Sequence, residues 1–328
     1  MSMIATQGPF KHIVAFEVSK TSLVVHSLPG DEQCAIANAQ QAIRRLLRAE
    51  VKRNAKAKLG PVLIVVEATG GYERHVLDAA LDLGLACHRA HGSRVRFFAR
   101  YLGLIAKTDQ IDARVIANYG LKTERLRLFE PLKPNEQALK DLQARRDEIQ
   151  QMSIAEGNRL EHARLASVVR SIKTHMAGLR KAFDALEAEI AALIRADESL
   201  ARKAGLMRSV VGVGPVTAAT LLANMPELGS LSKGEAARLA GLAPINRDSG
   251  KLSAPRHIEA GRSAVRRCLY MAALVALQHN PVLKAFASGL RARGKPFKVV
   301  ITAVMRKLIV TLNAIIRDGE PWNHAKPA

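Results

Sequence analysis

Along the first hundred residues the apolar positions change period several times, and each change predicts an element. His12–Val18 alternates and is rich in β-branched residues, which predicts a strand. Ser19-Lys20-Thr21 is a tight turn, and Ser22–Leu28 is a second strand that closes a hairpin. Pro29-Gly30-Asp31 turns the chain again, and Gln33–Ala37 reads as a short third strand. Over Asn38–Lys58 the period becomes helical, with Ala42, Ile43, Leu46, Leu47 and Val51 in one stripe, and Gly60-Pro61 ends it. Val62–Val66 is a continuous apolar run, the pattern of a central strand buried on both faces. A helix over Tyr72–Leu83, a strand over Leu85–Ala90 and a basic amphipathic segment over Arg94–Leu104 follow.

The pattern then becomes wholly helical. Leu121–Pro134 carries several charges and two prolines and reads as a connector. Ile172, Met176, Leu179, Phe183, Leu186, Ile190 and Leu193 are spaced alternately by four and three, a heptad seam, and Asn135–Leu160 carries a less regular stripe. A helical hairpin within one chain and a coiled coil between two chains both satisfy this spacing. Leu206–Leu222 resembles a helix-hairpin-helix. Gly212 and Gly214 permit its tight turn, and Pro215 opens the next helix. Exposed N–H groups there suit a phosphate, although a glycine-rich connection between packed helices has the same sequence. Helices are further predicted over Ala236–Leu242, Ser263–His279, Pro281–Leu290 and Val299–Ile316.

Composition narrows the function classes. The 328 residues include 50 Lys+Arg against 29 Asp+Glu, a net charge of +21, spread along the whole chain. A folded protein this basic calls for a polyanionic partner, and nucleic acid is the usual one. Aromatics make up only 4%, which argues against base stacking on single strands as the main activity. No apolar run matches the length of a spanning helix and no signal-peptide pattern opens the chain, so no membrane partner and a cytoplasmic location are expected. Cys34, Cys87 and Cys268 are far apart in apolar surroundings and are expected to be buried free thiols rather than zinc ligands.

The acids are placed more tellingly than they are counted. Glu17 lies in the first strand, and Glu67 directly follows the five apolar residues of the buried strand. Strand ends are where α/β sheets carry their sites. Asp109 and Asp112, in AKTDQIDAR, share one face at the start of a predicted helix. Alone, such a pair is a solvated acidic turn. With Glu17 and Glu67 it makes four hard carboxylate donors from three elements, the set that binds two Mg²⁺ or Mn²⁺ ions for phosphodiester chemistry.

Three adjacent strands, a helix, then alternating strand and helix is the order of an RNase H-like α/β domain. The strings EVSKTSL, VVEATGGYER and AKTDQIDAR resemble, in order, the three acidic motifs of the RuvC-like DEDD transposases of bacterial insertion sequences. These are serine recombinases guided by a bridge RNA and related to the Piv invertase. The resemblance implies an α/β plus α chain. It has an RNase H/RuvC-like catalytic domain over residues 10–125, a linker and helical coiled-coil region over 126–204, and a small, mostly helical C-terminal transposase domain over 205–320. It implies Glu17, Glu67, Asp109 and Asp112 as catalytic metal ligands for Mg²⁺ or Mn²⁺. The family's first acid is usually Asp, so Glu17 is a departure, and its extra methylene moves the carboxylate by about one C–C bond.

The segment Ile245–Lys251 contains Asp-Ser-Gly, which is ordinary turn chemistry by itself. The resemblance assigns Ser249 as a nucleophile that forms a covalent 5′-phosphoserine link to DNA. Lys251, Arg256, Arg262, Arg266 and Arg267 are candidate phosphate contacts beside it, and Gly212 and Gly214 join them as candidate nucleic-acid contacts. Donor and target DNA, a guide RNA and a homo-oligomer, dimer or tetramer, are the implied partners, with action at the bacterial nucleoid. Two alternatives stay open. One is a metal-dependent junction-resolvase-like nuclease with a structural Ser249; the other is a nucleic-acid-binding homologue weakened by Glu17.

Overall fold

A computed structural model describes residues 4–6, 10–104, 106, 108–245, 248–249, 252–253 and 257–323. The chain forms two compact units, residues 1–131 and 132–328.

The first unit contains, in order, β1 (Ile4–Thr6), β2 (His12–Val18), β3 (Ser22–Leu28), β4 (Glu32–Ala37), α1 (Gln40–Ala57) and β5 (Val62–Glu67). It continues with α2 (Arg74–Asp82), β6 (Ala86–Ala90), α3 (Gly92–Tyr101), α4 (Asp109–Lys122) and β7 (Arg125–Arg127). Five strands make one mixed sheet in the order β4-β3-β2-β5-β6. β2 is antiparallel to β3 and parallel to β5, and β5 is parallel to β6. β1 and β7 pair antiparallel, so part of the expected connector is a strand.

Strand alternation sorts the core into two layers. Val14, Phe16, Ile64 and Val66 pack with Ile43 and Leu47 of α1 and Val76 and Ala80 of α2. The intervening Ile13, Ala15, Leu63 and Val65 pack with Val95 of α3 and Val115, Ile116 and Tyr119 of α4. The doubly buried β5 is thus the continuous apolar run of the sequence. Cys34 departs from expectation: it is exposed, because β4 is the sheet's edge, while Cys87 is buried and Cys268 half-buried.

The second unit opens with α5 (Pro134–His162) and α6 (Ala166–Ala196), joined by three residues. Asn135 bonds Asp197 at 2.8 Å, Arg146 pairs with Glu187 at 2.8 Å, and Glu156 meets His175 at 3.2 Å. Residues rising in α5 thus meet residues falling in α6, and the two form an antiparallel hairpin within the chain. α7 (Glu198–Arg208), α8 (Pro215–Asn224) and α9 (Lys233–Leu239) follow. α9 starts earlier than its apolar pattern suggests because Ser232 and Glu235 form a capping box. Two short ladders come next, β8 (Pro244–Ile245) with β11 (His257–Ile258), and β9 (Asp248–Ser249) with β10 (Leu252–Ser253). α10 (Ser263–His279), α11 (Pro281–Ala292) and α12 (Phe297–Asp318) complete the unit. Against expectation, α12 is long and apolar enough to cross a membrane by length and composition. Its Val300, Val304, Leu308, Ile309 and Leu312 are fully buried in the unit's core.

Candidate active site

The ladder between β2 and β5 runs out to Phe16 opposite Val66. Glu17 and Glu67 are the next residues on these neighbouring parallel strands, whose backbones lie about 4.8 Å apart. By alternation both belong to the sheet face of Ile13, Ala15, Leu63 and Val65, the face that α4 covers. Both are half-buried, and Glu17 Oε2 is shielded from solvent. Glu17 is therefore not an outward surface charge. The Glu67 carboxylate packs against the start of α3: a β-carbon added to Gly92 would lie 2.5 Å from its Oε1. The positive end of the helix dipole at that first turn favours a negative charge there.

α4 begins at Asp109, as the sequence predicts, with the Thr108 hydroxyl accepting from the N–H of Ile111 at 3.2 Å. Asp109 and Asp112 occupy its first turn, Asp109 exposed and Asp112 half-buried. The helix crosses the sheet obliquely. Near its start the Gln110 carbonyl accepts from Gln33 Nε2 of β4 at 3.0 Å, and Arg114 pairs with Asp31 at 3.2 Å. Further on, Gly120 passes over Ile13 and Val65 so closely that a β-carbon would meet Val65 at 2.6 Å.

The donor set tests the fit of a divalent cation. Carboxylates on adjacent strand ends are hard oxygen ligands of the right kind. Among the described residues, however, no three acidic, His or Cys side chains converge as a metal-holding group. Glu17 and Glu67 thus supply half of such a site, and Asp109 and Asp112 are carried on the same sheet face without being gathered with them.

Sequence reasoning left Glu73 unassigned. It is only 1% exposed. Its Oε2 accepts the N–H of Thr69 at 3.1 Å and of Gly71 at 2.8 Å, and its Oε1 pairs with Arg89 of β6 at 2.5 Å. Burial pushes its carboxyl up, but the N–H donors and the Arg89 charge outweigh this and hold it below the ordinary carboxylate value. Glu73 thereby fixes the turn that follows Glu67, in which Gly70 and Gly71 have φ of +62° and +104°. A carboxylate two residues past a Gly-Gly pair was the legible signal.

In the second unit the backbone of Ser249 pairs with that of Leu252 at a hairpin tip. The Ser249 side chain and all of Lys251 and Arg256 lie outside the described residues. Pro244, His257 and Ile258, on the β8–β11 ladder, wall an open groove of about 1480 Å³. Arg266, Arg267, Lys295, Lys298 and Arg306 also line it. Arg267 has only a loose pairing with Asp147, at 3.8 Å, and Arg266 donates to the Ala260 carbonyl at 2.6 Å. Arg262 is engaged differently. It holds Glu227 through both guanidinium nitrogens at 2.7 and 2.8 Å and also bonds the Asn224 carbonyl. Gly212, with φ of +109°, abuts Ala272 and Ala276 of α10, so close helix packing accounts for it. Gly214 caps α8 with open space around it, leaving that helix start accessible.

Comparison with known proteins matches two successive segments of the chain. The model of the transposase family IS116/IS110/IS902 matches residues 204–288. A DEDD transposase model of IS110 type matches residues 18–168, beginning one residue after Glu17. The chain is 29% identical over 266 residues to the pilin gene-inverting protein of Moraxella bovis, covering 79% of this chain and 81% of that protein. The Moraxella lacunata protein of the same name gives the same figures. An uncharacterised insertion element IS110 protein of Streptomyces coelicolor is 29% identical over 163 residues, 49% of this chain and 39% of its own length. The chain thus carries, in order, a DEDD transposase domain of IS110 type and a transposase domain of the IS116/IS110/IS902 family, the domains of a DNA transposase or recombinase.

Proposed function

We propose that the chain cleaves and rejoins DNA strands by phosphoryl transfer, with a RuvC-like first unit and Ser249 as the covalent nucleophile. The observation that carries this reading is the pairing of Glu17 with Glu67 at adjacent strand ends, on the face where α4 brings Asp109 and Asp112. Glu17 and Glu67 would supply half of the ligands for Mg²⁺ or Mn²⁺ and Asp109 and Asp112, carried on the same face, the remainder; a bound ion would polarise the scissile phosphate and stabilise the leaving oxygen. Gly92 leaves room for the Glu67 carboxylate and Glu73 braces the turn behind it. In the second unit the Ser249 Oγ forms a bond to the scissile phosphorus as the P–O3′ bond breaks, and the 3′ hydroxyl leaves with a proton. Reversal of this step with a second 3′ hydroxyl rejoins the strands and frees the serine.

The cationic groove beside the Ser249 hairpin and the accessible start of α8 suit DNA phosphates. The resemblance of the three acidic motifs to RNA-guided recombinases supports a bridge RNA as the source of sequence choice. Exchange between two duplexes calls for at least two copies of the chain. The pilin gene-inverting relatives support DNA inversion or insertion as the outcome.

The test is strand cleavage of donor and target DNA in Mg²⁺ or Mn²⁺, with the guide RNA supplied, against the same reaction in chelator. Metal-dependent cleavage that is lost in Glu67→Gln supports the reading. Cleavage that persists in chelator, or at full rate in Glu67→Gln, contradicts it.

A further inference from the structure

α3 presents an unusual face. Phe97 is 67% exposed and Tyr101 is 83% exposed, in a chain with few aromatics. They are four residues apart, on one side of the helix and about 6 Å from each other along its axis. Arg94, Arg96 and Arg100 are exposed on the same short helix, and none forms an ion pair among the described residues. The Tyr101 ring is also oriented. It stacks on Phe98 at 6.3 Å and 28°, Phe98 meets Tyr119 edge-on at 5.7 Å, and Tyr119 lies 5.9 Å from His88. This row of rings anchors Tyr101 to the sheet and leaves its outer surface open.

We propose that α3 is a stacking platform for unpaired DNA next to the scissile phosphate. Bases stack on Phe97 and Tyr101, and Arg96 and Arg100 hold the adjoining phosphates. Two observations select this occupant. The face is cationic and aromatic without a carboxylate on the helix, which is the chemistry of a single-strand groove. The N-terminus of α3 abuts Glu67, and both rings lie within about 15 Å of that end along the axis, so a strand reaching the acids runs over them. The inference rests on the proposed strand-cleavage function and adds that local duplex opening accompanies it.

The test uses the full chain and a labelled 20-nucleotide single-stranded DNA, a duplex of the same sequence and an RNA of the same sequence, read by fluorescence anisotropy. Replacing both rings, Phe97→Ala with Tyr101→Ala, should weaken single-stranded DNA binding by tenfold or more, while duplex affinity stays within twofold. Phe97→Trp with Tyr101→Trp should restore it. Arg96→Gln with Arg100→Gln should flatten the salt dependence for single strands by about 1.4 in log–log slope. Unchanged single-strand affinity, an equal loss on duplex, or a loss confined to RNA overturns the platform. So does a change in oligomeric state by light scattering without a DNA effect. Strand cleavage by the unaltered chain is measured in parallel. Ring-dependent binding without cleavage would sink the proposed function and leave the platform standing; cleavage with ring-independent binding would do the reverse.

Discussion

Glu67 Oε1 lies 2.5 Å from the point that a β-carbon on Gly92 would occupy. The carboxylate fills the space that glycine leaves at the first turn of α3. Gly92→Ala should therefore push Glu67 aside with little cost to the fold, since φ at this position is ordinary for any residue. A misplacement of about 1 Å in a phosphoryl-transfer site costs roughly 100-fold in rate. Gel assays of strand cleavage should show that loss, with the thermal midpoint nearly unchanged. A Gly92→Ala protein that cleaves like the parent would detach Glu67 from the reaction.

Glu17 stands beside Glu67 at the strand ends but carries one methylene more than the aspartate usual in the resembled motif. Its charge is the feature on which the account depends. Glu17→Gln should abolish Mn²⁺ binding in calorimetry and reduce cleavage by about 100-fold or more. Glu17→Asp should retain both. Cleavage that survives Glu17→Gln intact would remove this residue from the site, and activity appearing only in Glu17→Asp would mark the parent chain as a weakened enzyme.

Much of this arrangement is legible in the sequence. The five apolar residues before Glu67 announce a strand buried on both faces, and Thr108 followed by two acids announces a helix start. What the sequence hides is how elements cross. Nothing in AKTDQIDAR says that α4 runs obliquely from β4 at Gln110 to β5 at Gly120, and that obliquity governs where the two aspartates stand. Glu73 was missed because its partners, the N–H groups of Thr69 and Gly71 and the Arg89 guanidinium on a neighbouring strand, come together only in the fold. Phe97 and Tyr101 were missed because period alone assigns aromatic residues to the core. The heptad seam of α6 left its partner open, and the ion pairs to α5 show a partner within the same chain.

Glu73 gives a pH signature. Its carboxyl is held below its ordinary value of 4.5 in the folded chain. A depressed folded value means that the charged form stabilises the fold above the ordinary value and that this contribution is lost as pH falls through the folded value. Glu73→Gln should thus lower the thermal midpoint at pH 7 and converge with the parent as pH falls below about 4. Parallel melting curves for the two proteins across that range would show that Glu73 carries no such charge-dependent bracing.

Gly120 sets how closely α4 lies on the sheet. In Gly120→Ala the new methyl would meet Val65 Cγ2 at 2.6 Å and Ile13 Cγ2 at 3.3 Å. Overpacking of this kind costs about 1–3 kcal/mol, against roughly 1 kcal/mol of helix propensity gained by alanine. A lower thermal midpoint is expected, with recovery when Val65→Ala is added to make room. A stabilised single variant would show that α4 has slack above β5.

The central claim is that strand cleavage runs through a covalent Ser249 link and needs the Glu67 carboxylate. The most direct measurement is covalent trapping: the chain, its guide RNA and end-labelled DNA are incubated with Mg²⁺, denatured and resolved on a gel. The account predicts labelled DNA that stays with the denatured protein, is released by protease, and is absent in both Ser249→Ala and Glu67→Gln. Full cleavage by Ser249→Ala with no adduct in the parent chain would contradict it and leave water as the attacking group.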